Sequence, residues 1–166
     1  LVIKDNINII INMNIPTWDE YFMQMCNVIK LRSKDSKKQV GACLVSSDNR
    51  IISTGYNSLK VASNDNIDWT DRKLVHSLVI HAEMNCLLYA TSKFENTTLY
   101  STLSPCVECS KLIASSGVKK IIYQNKYKDF DNVKEICDFY KIEIKQTQKS
   151  KIEEVIECVY VDINNY

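Results

Sequence analysis

Two short stretches decide how this chain is interpreted: His-Ala-Glu at residues 81–83 and Ser-Pro-Cys-Val-Glu-Cys at residues 104–109. Each stretch is predicted to begin a helix. In the second one, Ser104 suits the N-cap, and the proline after it suits the first helical position, where its missing N–H costs no hydrogen bond. Cys106 and Cys109 would then extend from one face of the helix. The positive end of the helix dipole favours thiolates, the form of cysteine that binds metals.

Two thiolates at a helix start predict a metal site, and we expect His81 to be the third ligand. Three protein ligands leave the fourth position of a tetrahedral zinc ion open to water, as in catalytic zinc sites. Bound zinc lowers the pKa of that water to about 7. Glu83 is predicted to be the general acid–base that takes the water proton and passes it to the substrate. The pattern therefore predicts one catalytic zinc ion per subunit, held by His81, Cys106 and Cys109.

The combined pattern is far more specific than either half of it. A lone Cys-x-x-Cys also occurs in structural and redox sites, and a lone histidine is often an ordinary packed residue. His-x-Glu followed by Pro-Cys-x-x-Cys, with each half beginning a helix, is typical of zinc-dependent nucleobase deaminases. Outside the pattern, His76 is predicted to be a loop residue. Single cysteines in apolar surroundings are predicted to be buried thiols, and a second metal site with Cys26 or Cys43 is the weaker alternative.

The predicted elements follow the order of an α/β protein. A helix begins after Thr17, which can form a capping box with Glu20. A hairpin and a long polar loop over residues 57–73 come next. An opening hairpin followed by alternating helices and strands predicts a three-layer α/β/α sandwich with a mixed five-stranded sheet. The predicted hairpin strands are 40–46 and 51–56, and the later elements are helix 78–89, strand 97–102, helix 106–115, strand 120–123, helix 132–140 and strand 142–144.

The chain is predicted to be a single deaminase domain. Its 166 residues suit one hydrophobic core. No linker, repeat or low-complexity stretch divides it. We expect residues 1–15 to be an N-terminal extension, residues 16–145 the catalytic core, and residues 146–166 a C-terminal tail.

The charge balance favours a small-molecule substrate. Proteins that bind DNA or RNA usually carry a strong basic excess, whereas the formal net charge of this chain is +1. Asparagines interrupt the apolar runs near the N-terminus, so no membrane span is predicted. The chain has seven cysteines, an odd number, and no visible signal peptide, which favours free thiols in a reducing compartment. We therefore expect a cytoplasmic enzyme without nucleic-acid or membrane partners.

Beyond the metal motif, the chain from about Trp18 to Asp129 resembles the deoxycytidylate (dCMP) deaminases. His-Ala-Glu and Pro-Cys-x-x-Cys are shared with other deaminases, so other segments select this family. They are Arg-Ser-Lys-Asp at residues 32–35, Gly-Tyr-Asn at residues 55–57 and Lys-Tyr-Lys-Asp at residues 126–129.

The resemblance implies the cytidine deaminase-like fold and the hydrolysis of dCMP to dUMP and ammonia, which supplies dUMP for thymidylate synthesis. It also implies that Arg32 and Lys34 bind the 5′-phosphate with Tyr127 nearby, and that Asn57 holds the deoxyribose. A guanidinium offers phosphate a fork of donors, and an ammonium adds a point charge. Family members are commonly homo-oligomers, so we expect a hexamer in preference to a dimer, with dCTP and dTTP as candidate effectors.

One loop departs from the family pattern. After Gly-Tyr-Asn the family usually continues with a glycine-rich loop that contains proline, whereas residues 58–65 contain neither residue type. Because glycine permits close backbone approach and positive φ, this difference puts regulation by dCTP and dTTP in question.

Two alternative functions stay open: a deaminase that accepts dCTP or both nucleotides, and a nucleic-acid editing enzyme such as a tRNA adenosine deaminase. A non-catalytic zinc module is disfavoured, because it has no use for the carboxylate of Glu83.

Overall fold

A mixed five-stranded sheet forms the centre of the protein, a computed structural model in which residues 15–60, 67–91 and 94–147 are described. The first strand pairs antiparallel with the second and the third, and the last three strands are parallel to one another. The strands are β1 (Gly41–Val45), β2 (Ile51–Tyr56), β3 (Thr98–Leu103), β4 (Lys120–Asn125) and β5 (Glu143–Gln146), in the spatial order β2-β1-β3-β4-β5.

Helices cover both faces of this sheet. They are α1 (Trp18–Ile29), α2 (Arg72–Leu78), α3 (Ala82–Leu88), α4 (Val107–Ser116) and α5 (Phe130–Phe139), with a short 3-10 turn at Lys30–Arg32. Side chains alternate along β1: Cys43 packs with Phe22 of α1, whereas Leu44 packs on the opposite face with the core of α3, α4 and α5. The predicted three-layer α/β/α sandwich is therefore confirmed.

The start of α1 follows the predicted capping box. The hydroxyl of Thr17 accepts a hydrogen bond from the backbone N–H of Glu20 at 3.3 Å, and the Glu20 carboxylate accepts one from the Thr17 N–H at 2.7 Å. Each bond satisfies an N–H that has no partner within the helix. A local sequence pattern thus determines where this helix begins.

The predicted helix over residues 78–89 is wrong at its beginning. Two helices, α2 and α3, stand in this region, and residues 79–81 separate them. Ile80 forms an isolated β-bridge with Ser58, with backbone hydrogen bonds of 2.8 and 3.1 Å. Asp71 caps α2 by accepting from two backbone N–H groups. The long-range bridge interrupts the helix, and the helical part of the chain begins earlier than its polarity suggested.

Strand β2 and helix α3 approach each other very closely at Gly55. A Cβ atom at this position would collide with the backbone of Ala82 and Cys86. Only glycine permits this approach, which places the start of α3 directly against the sheet.

Parts of the predicted domain organisation lie outside the described residues. This applies to the N-terminal extension except Ile15, to residues 61–66 of the altered loop region, and to the C-terminal tail beyond residue 147. Within the described part of the chain, no helix is both long enough and apolar enough to cross a bilayer.

Candidate active site

The three predicted metal ligands meet where α3 and α4 begin. The Nδ1 atom of His81 lies 3.5 Å from the Sγ of Cys106 and 3.4 Å from the Sγ of Cys109, and one ligand atom from each residue lies within 4.8 Å of the others. Tetrahedral zinc, with bonds of about 2.3 Å to sulfur and about 2.0 Å to nitrogen, would separate such atoms by roughly 3.5 Å. The two thiols and the imidazole therefore fit a zinc ion in both spacing and ligand chemistry.

Backbone geometry at the two helix starts holds these ligands in place. His81 is the N-cap of α3 and Cys106 is the N-cap of α4. The prediction that Ser104 caps α4 is therefore wrong, because the Sγ of Cys106 accepts from the Cys109 N–H at 3.5 Å. The hydroxyl of Ser104 accepts instead from the backbone N–H of Tyr127 at 2.8 Å.

The thiol pair is arranged to lose a proton. Hydrogen bonding from the Cys109 side chain, with a further contribution from His81, lowers the pKa of Cys106 to about 3. The same hydrogen bond and burial raise the pKa of Cys109. A low pKa at one member of the pair means that a thiolate is available to a metal at neutral pH.

Glu83 lies in the first turn of α3 and is only 5% exposed. Burial raises its pKa from 4.5 to about 7, against the opposing effects of a backbone hydrogen bond and of His81. A carboxyl group with a pKa near the working pH both accepts and returns protons efficiently. The position of Glu83 beside the metal ligands thus suits proton transfer.

A cavity opens beside this cluster and includes both predicted and unpredicted side chains. Glu83, Asn57 and Tyr127 line it, as do two of the metal ligands, His81 and Cys106. The other lining residues are Asp35, Lys38, Val40, Arg72, Val75, His76, Val79, Ala82, Leu103 and Ser104.

The polar side of this cavity contains a paired arginine and a lysine. The guanidinium of Arg72 donates two hydrogen bonds to the carboxylate of Asp35, of 2.8 and 3.0 Å. The ammonium of Lys38 lies 4.2 Å from the centroid of the Tyr127 ring. A metal-binding cluster, a buried carboxyl and two cations therefore share one cavity.

Comparison with known proteins agrees with this chemistry. Residues 16–125 match the family model described as the cytidine and deoxycytidylate deaminase zinc-binding region. The chain belongs to this deaminase family. All three candidate zinc ligands and Glu83 lie inside the matched segment, and the zinc cofactor of the family fits the His-Cys-Cys cluster described above.

Individual deaminases of this family are similar over most of the chain. Human deoxycytidylate deaminase is 39% identical over 122 residues, which covers 69% of this chain and 68% of that protein. A probable deoxycytidylate deaminase from Drosophila melanogaster is 39% identical over 128 residues, or 68% of this chain and 62% of that one. The dCMP deaminase of the cyanophage S-TIM5, crystallised in complex with dCMP and dUMP, superimposes with a TM-score of 0.68. It is 25% identical and covers 81% of this chain and 100% of its own.

The deaminase fold brings only some of the predicted substrate-binding residues to the cavity. Tyr127 and Asn57 line it. The amide of Asn57 bonds to the loop before β1: it accepts from the Val40 N–H and donates to the Lys38 carbonyl, both at 2.8 Å. Arg32 and Lys34 are exposed and are not among the lining residues.

The basic residues Lys38, Arg72 and His76 line this deaminase cavity, and the sequence motifs assign none of them to the site. His76 was predicted to be a loop residue, but it belongs to α2. A signal for α2 did exist, since Asp71 is a good N-cap residue and an apolar segment follows it. Nothing local indicated that α2 faces the zinc ligands.

Proposed function

We propose that this chain catalyses the zinc-dependent hydrolytic deamination of dCMP to dUMP and ammonia, and so supplies dUMP for thymidylate synthesis. One observation carries the proposal: the His81, Cys106 and Cys109 cluster lies beside the buried carboxyl of Glu83 in a single cavity. Its relatives support the choice of substrate. The human relative is a deoxycytidylate deaminase, and the S-TIM5 enzyme was crystallised with dCMP and dUMP.

The residues of the cluster divide the reaction between them. His81, Cys106 and Cys109 hold the zinc ion, which when bound supplies the Lewis acidity that makes water a nucleophile at neutral pH. The water oxygen bonds to C4 of the cytosine while Glu83 accepts one proton from that water. Glu83 then delivers this proton to N3. Glu83 then carries the remaining hydroxyl proton to the amino group. The C4–N bond breaks, ammonia leaves, and a uracil ring remains.

The other site residues are proposed to hold the nucleotide. The positions of Asn57 and Tyr127 on the cavity wall support contacts with the sugar and the phosphate side of dCMP. The phosphate roles of Arg32 and Lys34 stay predictions, which rest on the resemblance of residues 32–35 to the family.

Steady-state kinetics of the zinc-loaded protein test this function. We expect kcat/KM for dCMP to exceed the values for dCTP and for deoxycytidine. A negligible rate with dCMP would overturn the proposal, and a higher kcat/KM for dCTP would favour the alternative nucleotide.

Gel-shift and deamination assays with tRNA and single-stranded DNA test the editing alternative. We expect neither a shift nor a product. Deamination of tRNA together with inactivity on dCMP would overturn the proposed function in favour of editing.

We also propose a homo-oligomer, a hexamer in preference to a dimer, in a reducing cytoplasmic compartment. The free thiols of the described cysteines support such a compartment. Light scattering coupled to gel filtration measures the subunit number.

Activity measured with added dCTP and dTTP tests whether they are effectors. Most of the altered loop, residues 61–65, lies outside the described residues.

A further inference from the structure

We infer that Lys38 and Arg72 recognise the 5′-phosphate inside the active-site cavity, and that Asp35 is the positioning residue for Arg72. This inference rests on the proposed function, because it assigns the phosphate of the same substrate to Lys38 and Arg72, two side chains outside the sequence motifs.

Arg72 is presented to the cavity in a defined orientation. Its guanidinium donates to both oxygens of Asp35, whose side chain is 4% exposed, while the arginine side chain itself is 34% exposed. A guanidinium has five N–H donors in a planar fork, and Asp35 takes two of them. Because the pair fixes the plane of the fork, the remaining donors point in set directions, which suits the binding of a phosphate.

Lys38 is held by its backbone as well as by its side chain. Its N–H donates to the carboxylate of Asp35 at 3.2 Å, and its carbonyl accepts from the amide of Asn57 at 2.8 Å. The ammonium lies over the ring of Tyr127. Asp35 therefore orders both cations, the lysine through its main chain and the arginine through its side chain.

The group formed by Lys38, Arg72 and Asp35 carries a net charge of +1 on its side of the cavity. Among the described residues that line it, the acidic ones are Asp35 and Glu83, and the basic ones besides the histidines are Lys38 and Arg72. Arg72 neutralises Asp35, so the charge of Lys38 is left to attract a phosphate. Glu83 belongs to α3, beside the metal ligands, whereas the two cations come from the loop before β1 and from α2.

The two family-like motifs act together to build this arrangement. The hydroxyl of Ser33 donates to the carbonyl of Asn57 at 2.8 Å, and the same hydroxyl accepts from the N–H of Asp35 at 3.3 Å. The segments 32–35 and 55–57 are thereby joined at the cavity wall. This junction holds both the loop that carries Lys38 and the carboxylate that binds Arg72.

The test compares each cation with its neighbour in the sequence. Lys38→Met and Arg72→Met should each lower kcat/KM for dCMP by about 10- to 100-fold, the loss of a charge-assisted contact, and leave deoxycytidine within about 2-fold. Lys37→Met and Lys73→Met are the matched controls, since both lysines are exposed and lie outside the cavity lining. These two control variants should leave kcat/KM unchanged for both dCMP and deoxycytidine.

Asp35→Asn tests the positioning role. It should raise KM for dCMP by about 10-fold with little change in kcat, and should leave deoxycytidine turnover within about 2-fold. A merely structural role would reduce the turnover of both substrates together. Because Arg72→Met leaves a buried carboxylate unpaired, the double variant Asp35→Asn/Arg72→Met and thermal unfolding curves separate a folding defect from a binding defect.

The outcomes separate this inference from the proposed function. A wild-type protein that fails to deaminate dCMP overturns the function. The inference is overturned if the wild-type protein deaminates dCMP but the Lys38 and Arg72 variants lose activity equally on both substrates. It is also overturned if these variants lose no activity. If only Arg32→Ala loses activity selectively on dCMP, the phosphate is bound by the residues of the 32–35 motif and the inference is overturned. Calorimetric titration of the zinc-loaded protein with dUMP and with deoxyuridine measures the same selectivity without turnover.

Discussion

Asn57 and Val40 are joined by two hydrogen bonds. The backbone N–H of Val40 donates to the Oδ1 of Asn57 at 2.8 Å, and the N–H of Asn57 donates to the Val40 carbonyl at 3.2 Å. Val40 directly precedes β1 and Asn57 directly follows β2, so the pair closes the end of the hairpin that borders the cavity. The resemblance assigns the Asn57 amide to the deoxyribose. The same amide also holds the wall of the site in place.

Asn57→Ala should destabilise the protein by about 1–3 kcal/mol, because the buried N–H of Val40 loses its acceptor. Chemical denaturation measures the free energy of unfolding. Asn132→Ala is the control, since Asn132 is exposed on α5, and it should change stability by less than about 0.5 kcal/mol. An Asn57→Ala protein of unchanged stability but weakened dCMP binding would show that the side chain serves the substrate alone.

Glu83→Gln should retain zinc and lose at least about 100-fold in kcat, because an amide has no carboxylate to carry protons. Metal analysis and steady-state rates on dCMP measure the two effects. Glu108→Gln changes a glutamate next to the zinc ligands whose side chain is 70% exposed, and should have little effect on either. Retained turnover in Glu83→Gln would remove this residue from the mechanism.

Cys109→Ser should weaken zinc binding by at least about 100-fold, because a serine hydroxyl does not replace a thiolate ligand. Zinc content after dialysis against a chelator is the measurement. Cys137→Ser makes the same change at a buried cysteine of α5 and should keep full zinc occupancy despite some loss of stability. Equal zinc contents in the two variants would contradict the assigned ligand set.

Gly55→Ala should destabilise the protein by at least about 1–3 kcal/mol, because the added methyl group meets the backbone of Ala82 and Cys86. Displacement of α3 should also lower kcat, since His81 is the N-cap of this helix and Glu83 lies in its first turn. Thr54→Ala is the matched control at the exposed neighbouring position. Wild-type stability in Gly55→Ala would mean that β2 and α3 separate at little cost.

Arg32→Ala should lower kcat/KM for dCMP more than for deoxycytidine, because the resemblance to dCMP deaminases assigns this residue to the 5′-phosphate. The expected loss is about 10-fold in kcat/KM for dCMP. Equal losses on both substrates would refute a phosphate role. Arg32 is exposed, whereas Lys38 and Arg72 line the cavity. Comparing the three variants therefore shows which of these residues bind the phosphate.

Local patterns predicted the elements well where the stabilising contacts are local. The capping box of Thr17 and Glu20 fixes the start of α1 through bonds between residues three apart. The division between α2 and α3 was missed because it depends on the bridge between Ser58 and Ile80, which are distant in the sequence. Local propensity does not report such pairings.

The sequence by itself determined the type of chemistry. Its ligand types, their spacing and their place at helix starts point to zinc and to a proton-carrying carboxylate, since both depend on the identity of a few residues. Only the tertiary structure decided what else faces that chemistry. Asp35 and Arg72 are 37 residues apart in the chain, yet they form one ion pair on the cavity wall. Folding brings them together because the sheet and α2 pack around the cavity, and no local pattern encodes that packing.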